Sequence, residues 1–225
     1  MSYNIAVDGP AGAGKSTIAK AVAKKEKLIY VDTGAMYRAM ALFMLRQAVD
    51  LQNREEIIEK CREAHITIGY DGDIQVVYLN GENVNGLLRT EETGNAASVV
   101  SSIPEVREKL LELQRSLAAG NDCIMDGRDI GTCVLPGAQL KIYLTADSLV
   151  RARRRFDELA ARGEVCDLEK IRADIEERDY RDMHREVSPL KRAEDAVTVD
   201  TSKMTADEVI AEVVRLCRER HPGSE

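Results

Sequence analysis

The sequence predicts an α/β fold in which a parallel sheet is flanked by helices. Three observations lead there. Ile5-Ala6-Val7 reads as a short buried strand, a glycine-rich loop follows it, and residues 17–27 read as a helix rich in Ala and Lys. Four more short apolar runs have the length of buried strands: Leu28–Asp32, Cys123–Asp126, Leu140–Leu144 and Ala196–Asp200. Long helical stretches separate these runs, the alternation expected of an α/β sheet.

The glycine-rich loop is Gly9-Pro10-Ala11-Gly12-Ala13-Gly14-Lys15-Ser16-Thr17, which fits G-x-x-x-x-G-K-[ST] at Gly9, Gly14, Lys15 and Ser16. Strand, loop and helix form the context that confirms this motif. Its residue types follow from its chemistry. Backbone N–H groups must converge on phosphate oxygens, and glycines allow that tight path. The helix N-terminus adds partial positive charge. Lys15 can reach the outer phosphates of a nucleoside triphosphate, and the Ser16 hydroxyl can hold a magnesium ion.

The length of 225 residues fits one domain, or one with inserted lobes. Thirty-two Lys and Arg stand against 39 Asp and Glu, a net charge of −7, which argues against broad nucleic-acid or membrane binding. The five cysteines, at 61, 123, 133, 166 and 217, show no C-x-x-C spacing and are expected to be reduced in a cytoplasmic protein, with Cys123 a core thiol. No stretch approaches the roughly 20 apolar residues that span a bilayer.

Taken in order, Asp32 or Thr33 caps a helix over about 34–49, whose first turns carry Tyr37 and Arg38 beside a strand end. In an open parallel sheet, ligands bind at that edge. Residues 53–64 read as a charged amphipathic helix. The alternating runs 65–70 and 74–79, joined by Asp71-Gly72-Asp73, read as an antiparallel hairpin, so about 65–90 is a small β-rich insert. His65 has no carboxylate or cysteine partner nearby and reads as structural. Helices follow at 91–101 and at 104–119, opened by Pro104 and closed by Gly120. The strand at 123–126 delivers Gly127-Arg128-Asp129 to the edge that holds the phosphate loop. The last helix spans 206–220.

Ten arginines fall within 151–192, and Arg178, Arg181 and Arg185 share one helical face. Interleaved Glu176, Glu177, Asp179 and Asp182 could make this a solvated helix of internal ion pairs. Arginine's planar fork instead suits phosphate oxygens. Arg38, Arg128 and Arg185 have no obvious role with the triphosphate and point to a second phosphorylated ligand, a phosphate acceptor that is already ionised and needs no general base. A GTPase would carry N-K-x-D, which is absent. A non-catalytic nucleotide sensor would not require the second arginine set.

On five segments the sequence resembles bacterial cytidylate kinases, the (d)CMP kinases of the nucleoside monophosphate kinase superfamily. They are residues 9–16, Asp32-Thr33-Gly34-Ala35-Met36-Tyr37-Arg38, Asn95-Ala96-Ala97-Ser98, Gly127-Arg128-Asp129-Ile130-Gly131-Thr132, and Arg178-Asp179-Tyr180-Arg181-Asp182 leading to Arg185. The resemblance covers nearly the whole chain. It implies one kinase domain over 1–225, with strand order 2-3-1-4-5, a monophosphate-binding lobe over 34–120 that includes the insert, and a lid over 151–166. It implies transfer of the ATP γ-phosphoryl group to CMP or dCMP with Mg2+. The protein is expected to be a monomer that binds no nucleic acid and no membrane. It puts Ser98, Arg107 and Asp129 at the cytosine, Tyr37, Arg178 and Asp182 around the ribose, and Arg38, Arg128 and Arg185 on the monophosphate. Lys15 and Arg128 are then catalytic, and Arg154, Arg155 and Arg181 are candidates to meet the transferring phosphate. Asp32, at a strand end beside the phosphate loop, is a candidate for the magnesium water shell.

Overall fold

A computed structural model describes residues 2–220. The chain begins with β1 (Asn4–Asp8), α1 (Lys15–Glu26), β2 (Ile29–Asp32), α2 (Thr33–Arg46) and α3 (Arg54–Cys61). A meander of β3 (Ile66–Asp71), β4 (Ile74–Leu79) and β5 (Glu82–Asn83) follows, then α4 (Glu91–Val100) and α5 (Pro104–Gly120). β6 (Cys123–Asp126), a π turn (Ile130–Val134), β7 (Leu140–Thr145), α6 (Ser148–Ala161), α7 (Leu168–His184), β8 (Val197–Asp200) and α8 (Ala206–Arg220) complete the fold.

The main sheet runs β2-β6-β1-β7-β8, every pair parallel. In chain order of its five strands this is the expected 2-3-1-4-5. Alternation along each strand divides the core in two, because successive side chains point to opposite faces. Ala6, Val31, Cys123 and Met125 join the cluster with α2, α4 and α5 residues such as Met40, Val100 and Leu110. Ile5, Val7, Ile124 and Ile142 face the other way, onto α1 and α8 through Ile18, Val22 and Val213. With both faces covered, the strands carry the continuous apolar runs seen in the sequence.

Local geometry moves several boundaries from their expected places. α1 opens at Lys15 because Gly14, at φ 91°, turns the loop directly into the helix. α2 opens at Thr33, capped by the Asp32 carboxylate on the Ala35 N–H, and ends at Arg46, two residues before Ala48 enters the left-handed region at φ 52°. The insert has a third strand that its sequence did not suggest, β5, only two residues long. Asn80 and Gly81, at φ 49° and 85°, form the turn that pairs it with β4. His65 is exposed, and its N–H donates to Asn80, in keeping with a structural role.

The carboxyl end of β1 is tied to the end of β6 by one buried side chain. Asp8 accepts from the Ile130 N–H at 2.8 Å and the Gly131 N–H at 2.7 Å. Asp8 therefore holds the start of the π turn that follows Asp129. Burial pushes its pKa up to about 6, although the two N–H donors favour the ionised form. A raised carboxyl pKa means that the folded protein binds the proton more tightly than the unfolded chain does. Its contribution to stability therefore falls as pH rises from roughly 4 to 6. Asp8→Asn removes that titration. In urea unfolding, the stability of wild type minus that of Asp8→Asn should drop by about 1 kcal/mol between pH 5 and pH 7.5. A pH-independent difference would contradict this.

Candidate active site

The site is built where β1, β2 and β6 end. Gly9 turns out of β1 at φ 148°, and a Cβ there would lie 1.9 Å from the Leu144 carbonyl oxygen on β7. Only glycine permits this path. The buried Lys15 ammonium donates to the Gly9 and Pro10 carbonyls at 2.7 and 2.8 Å. Burial, reinforced by the nearby Arg128 charge, holds its pKa well below the ordinary lysine value. An arriving polyphosphate would reverse that balance by supplying negative charge.

Two carboxylates meet the loop. The Ser16 hydroxyl donates to Asp126 Oδ2 at 2.6 Å, and the Tyr30 hydroxyl to Asp126 Oδ1 at 3.1 Å. Burial, with the Asp32 charge beside it, pushes Asp126 up to about 6. On the other side, α6 and α7 grip the loop through a buried ion pair, Arg151 to Asp179 at 2.6 Å. Asp179 accepts from the Ala11 N–H at 3.1 Å, and Arg151 donates to the Ala11 carbonyl at 2.7 Å. Both backbone groups of one loop residue are thus held by the two arginine-rich helices.

Facing the loop is a cluster of arginines held on aspartates. Arg107 from α5 pairs with Asp129 at 2.5 Å, donates to the Ser101 carbonyl at 3.0 Å and lies over the Tyr37 ring. Arg185, just past α7, reaches Asp129 from its other side at 3.4 Å and donates to the Ser188 carbonyl at 2.6 Å. Arg128 pairs with Asp182 at 2.9 Å, and Arg38 with Asp32 at 3.0 Å. Asp182 is held below the usual carboxylate range by Arg128, against its burial. Arg178 is lowered to about 10 by burial and by the neighbouring Arg128 charge. The buried Nε groups of Arg38, Arg107 and Arg178 have no hydrogen-bond partner among the described residues. Buried donors of this kind are costly unless something pairs with them. One cavity of about 460 Å³ joins the loop to this cluster, lined by Lys15 and Ser16 at one end and Ser98, Arg107 and Asp129 at the other.

The cytidylate kinase family model matches residues 5–219. The chain belongs to the cytidylate kinase family. A cytidylate kinase from Geobacillus sp. (strain WCH70) is 45% identical over 219 residues, covering 97% of this chain and 98% of the relative. One from Desulforamulus reducens is 50% identical over 210 residues, covering 93% and 94%. Among solved structures, an uncharacterized protein from Eubacterium ventriosum aligns with a TM-score of 0.50 at 9% identity, covering 96% of this chain and 98% of that one, a likeness of fold alone.

Within this cytidylate kinase fold, most of the expected site residues come together. Residues 9–17 form the loop, and Tyr37, Arg38, Ser98, Arg107, Arg128, Asp129, Arg178, Asp182 and Arg185 all line the cavity. Four expected residues sit otherwise. Both Asp32 carboxylate oxygens are engaged, one by the α2 cap and one by Arg38, and the carboxylate on Ser16 is Asp126. Arg154 donates to Thr201 and Arg155 to Glu158, both at the cavity wall. Arg181 faces outward, 3.7 Å from Glu177. For Arg181, the reading of its helix as one of internal ion pairs therefore holds, and Arg155 makes a pair of the same kind within α6.

Asp126, Arg151 and Asp179 were not singled out in the sequence. Asp126 had the same signal as Asp32, an aspartate closing a strand. Asp179 and Arg151 looked like members of a charge run, because nothing in a linear pattern marks which charges are buried. Their burial carries a definite cost. Asp179→Ala would leave the Arg151 guanidinium buried without its carboxylate, costing about 3–5 kcal/mol of stability. The double change Arg151→Met with Asp179→Leu should cost much less than the two single changes summed. Denaturant unfolding of the three variants measures this, and additive losses would rule out the pair.

Proposed function

We infer that this kinase transfers the γ-phosphoryl group of ATP to CMP and dCMP, yielding the diphosphates. One observation carries the reading beyond family membership. The phosphate loop shares a single cavity with a second buried cationic pocket, in which three guanidinium Nε groups have no hydrogen-bond partner among the described residues. A second anionic ligand would supply what they lack. The substrates are small nucleotides, and no helix among the described residues is long and apolar enough to cross a membrane.

The loop N–H groups and the α1 N-terminus would hold the ATP phosphates. Lys15 would leave the Gly9 and Pro10 carbonyls for the outer phosphates, where its charge offsets that developing in transfer. Magnesium suits hydroxyl and carboxylate oxygens, and Ser16 with Asp126 offers both beside the loop. When bound, the ion supplies neutralisation of the β- and γ-phosphoryl oxygens. Asp32, occupied by Arg38, would order the second, anion-binding pocket. Arg38, Arg128 and Arg185 would take the acceptor phosphate, and Tyr37, Arg178 and Asp182 the ribose. The acceptor oxygen is already ionised, so positioning and charge carry the step.

We assign the lobe at 34–120 to acceptor binding and the segment at 151–166 to a lid that excludes water. Arg151 is fixed on Ala11, so motion of the lid would begin beyond it and carry Arg154 and Arg155. Arg181 would join them on closure. With Lys15 in its proposed role, Lys15→Ala should lower kcat by about 10²–10³ while CMP affinity changes little. Near-normal turnover in a folded variant would refute the mechanism.

Base choice follows from hydrogen-bond bookkeeping. Cytosine offers an amino donor at position 4 and acceptors at N3 and O2. Ionised Asp129 only accepts and suits the amino group, whereas Arg107 only donates and suits N3 or O2. The Ser98 hydroxyl can complete the set. Uracil reverses the groups at position 4 and N3, leaving buried partners unpaired. A site built this way rejects the wrong base by roughly 10⁴-fold. In kcat/KM, CMP should therefore be strongly preferred over UMP. Asp129→Ala should erode that preference, chiefly through loss of CMP activity. Equal use of both nucleotides by wild type would sink the cytosine assignment.

A further inference from the structure

β2 lies at the edge of the main sheet, paired only with β6, and its other edge would leave backbone groups open. The β-rich insert closes that edge with side chains rather than a strand. The Gln75 amide on β4 takes both backbone groups of Asp32. Its Oε1 accepts from the Asp32 N–H at 2.7 Å, and its Nε2 donates to the Asp32 carbonyl at 3.2 Å. Two residues earlier on the same edge, the Tyr70 hydroxyl donates to the Tyr30 carbonyl at 3.2 Å. Gln75 is itself held, since Asn85 donates to its carbonyl at 2.8 Å and accepts from the Val77 N–H at 2.9 Å.

What Gln75 holds is the residue that orients Arg38. Asp32 Oδ1 accepts from the Ala35 N–H at 2.8 Å, and Oδ2 from the Arg38 guanidinium at 3.0 Å. Space for this pair is narrow. A Cβ at Gly34 would come within 3.0 Å of the guanidinium and 3.1 Å of Asp32 Oδ1. Arg38 Nε is meanwhile buried without a partner among the described residues. A small rotation of the Asp32 backbone would therefore swing the guanidinium away from where an anion must sit.

We propose that Gln75 is a positioning residue for the acceptor phosphate: its amide fixes the Asp32 backbone, and Asp32 aims Arg38. This rests on the assignment of Arg38 to that phosphate. It gives the insert a chemical task in addition to its packing. The bland alternative is that Gln75 only docks the insert, as Tyr70 does. The two differ in one quantity, the ratio of CMP affinity to cytidine affinity, which isolates the phosphate's share of binding.

The experiment measures dissociation constants of CMP and cytidine for wild type, Gln75→Met, Tyr70→Phe and Arg38→Ala. Gln75→Met keeps the volume and removes both hydrogen bonds. It should lower the CMP-to-cytidine ratio about tenfold, with cytidine affinity within about twofold of wild type. Retained cytidine binding also shows that the variant folds. Tyr70→Phe should leave the ratio unchanged. If Gln75→Met weakens both ligands equally, or neither, while Arg38→Ala lowers the ratio, the positioning role is refuted and the site reading stands. The same holds if Tyr70→Phe lowers the ratio as much as Gln75→Met does. If Arg38→Ala leaves the ratio intact, the phosphate assignment fails and this inference fails with it.

Discussion

The pairing of arginine with aspartate around one cavity is the constraint on which the rest of the site depends. A pocket for two polyanionic ligands needs dense positive charge, yet it must stay folded when empty. Five arginines meet this by leaning on four aspartates: Arg38 on Asp32, Arg107 and Arg185 on Asp129, Arg128 on Asp182, and Arg151 on Asp179. The pairs lower the repulsion among the guanidinium groups without cancelling the charge of the pocket. Lys15 and Arg178 are shifted below their ordinary pKa by burial and, next to it, by the Arg128 charge, so positive charge is still felt at both. A carboxylate that pairs with arginine also fixes the fork's direction, so the groups are preorganised before a ligand arrives.

The pairs differ in what they do because they differ in what else they touch. Arg151 and Asp179 spend their remaining hydrogen bonds on Ala11 and the Ala146 carbonyl, so they are part of the frame. They join α6 and α7 to the loop, and α7 carries Arg178, Asp182 and the approach to Arg185. The donor side and the acceptor side are thereby registered through a single loop residue. Arg38, Arg107 and Arg178 keep Nε groups that have no partner among the described residues and so retain binding capacity. Asp8 works on the same scale from within the sheet, carrying the geometry of β1 into the turn beyond Asp129.

Function legible in the sequence was confined to residues whose role is local or marked by type. The phosphate loop could be read because Gly9 and Gly14 answer backbone demands that act over a few residues, and Lys15 and Ser16 stand at fixed spacing from them. The arginine surplus pointed to a second anion because arginine in such number near a phosphate loop has few other uses. The choice between Asp32 and Asp126 shows where that reading ends. Both close a strand, and the two lie opposite each other in the β2–β6 register. Only the α2 N-terminus and Arg38, which draw Asp32 aside, leave Asp126 as the carboxylate on Ser16.

By itself the sequence determined the five buried strands, the helices between them, the antiparallel insert and the loop that cradles phosphate. These follow from periodicity of two or 3.6 residues and from backbone conformations that glycine alone adopts freely. Tertiary structure decided which charges are buried and which carboxylate each one meets. It made a frame of Arg151 and Asp179, left Arg155 and Arg181 on surface ion pairs, and set Gln75 of the insert against the edge of β2. The reason is distance: the contacts of the frame and of Gln75 join residues that lie 28 to 168 positions apart, as between Arg151 and Asp179 or Asp179 and Ala11. No local pattern records a partner so remote, and the energy of a charge depends on the partner and the burial it finds.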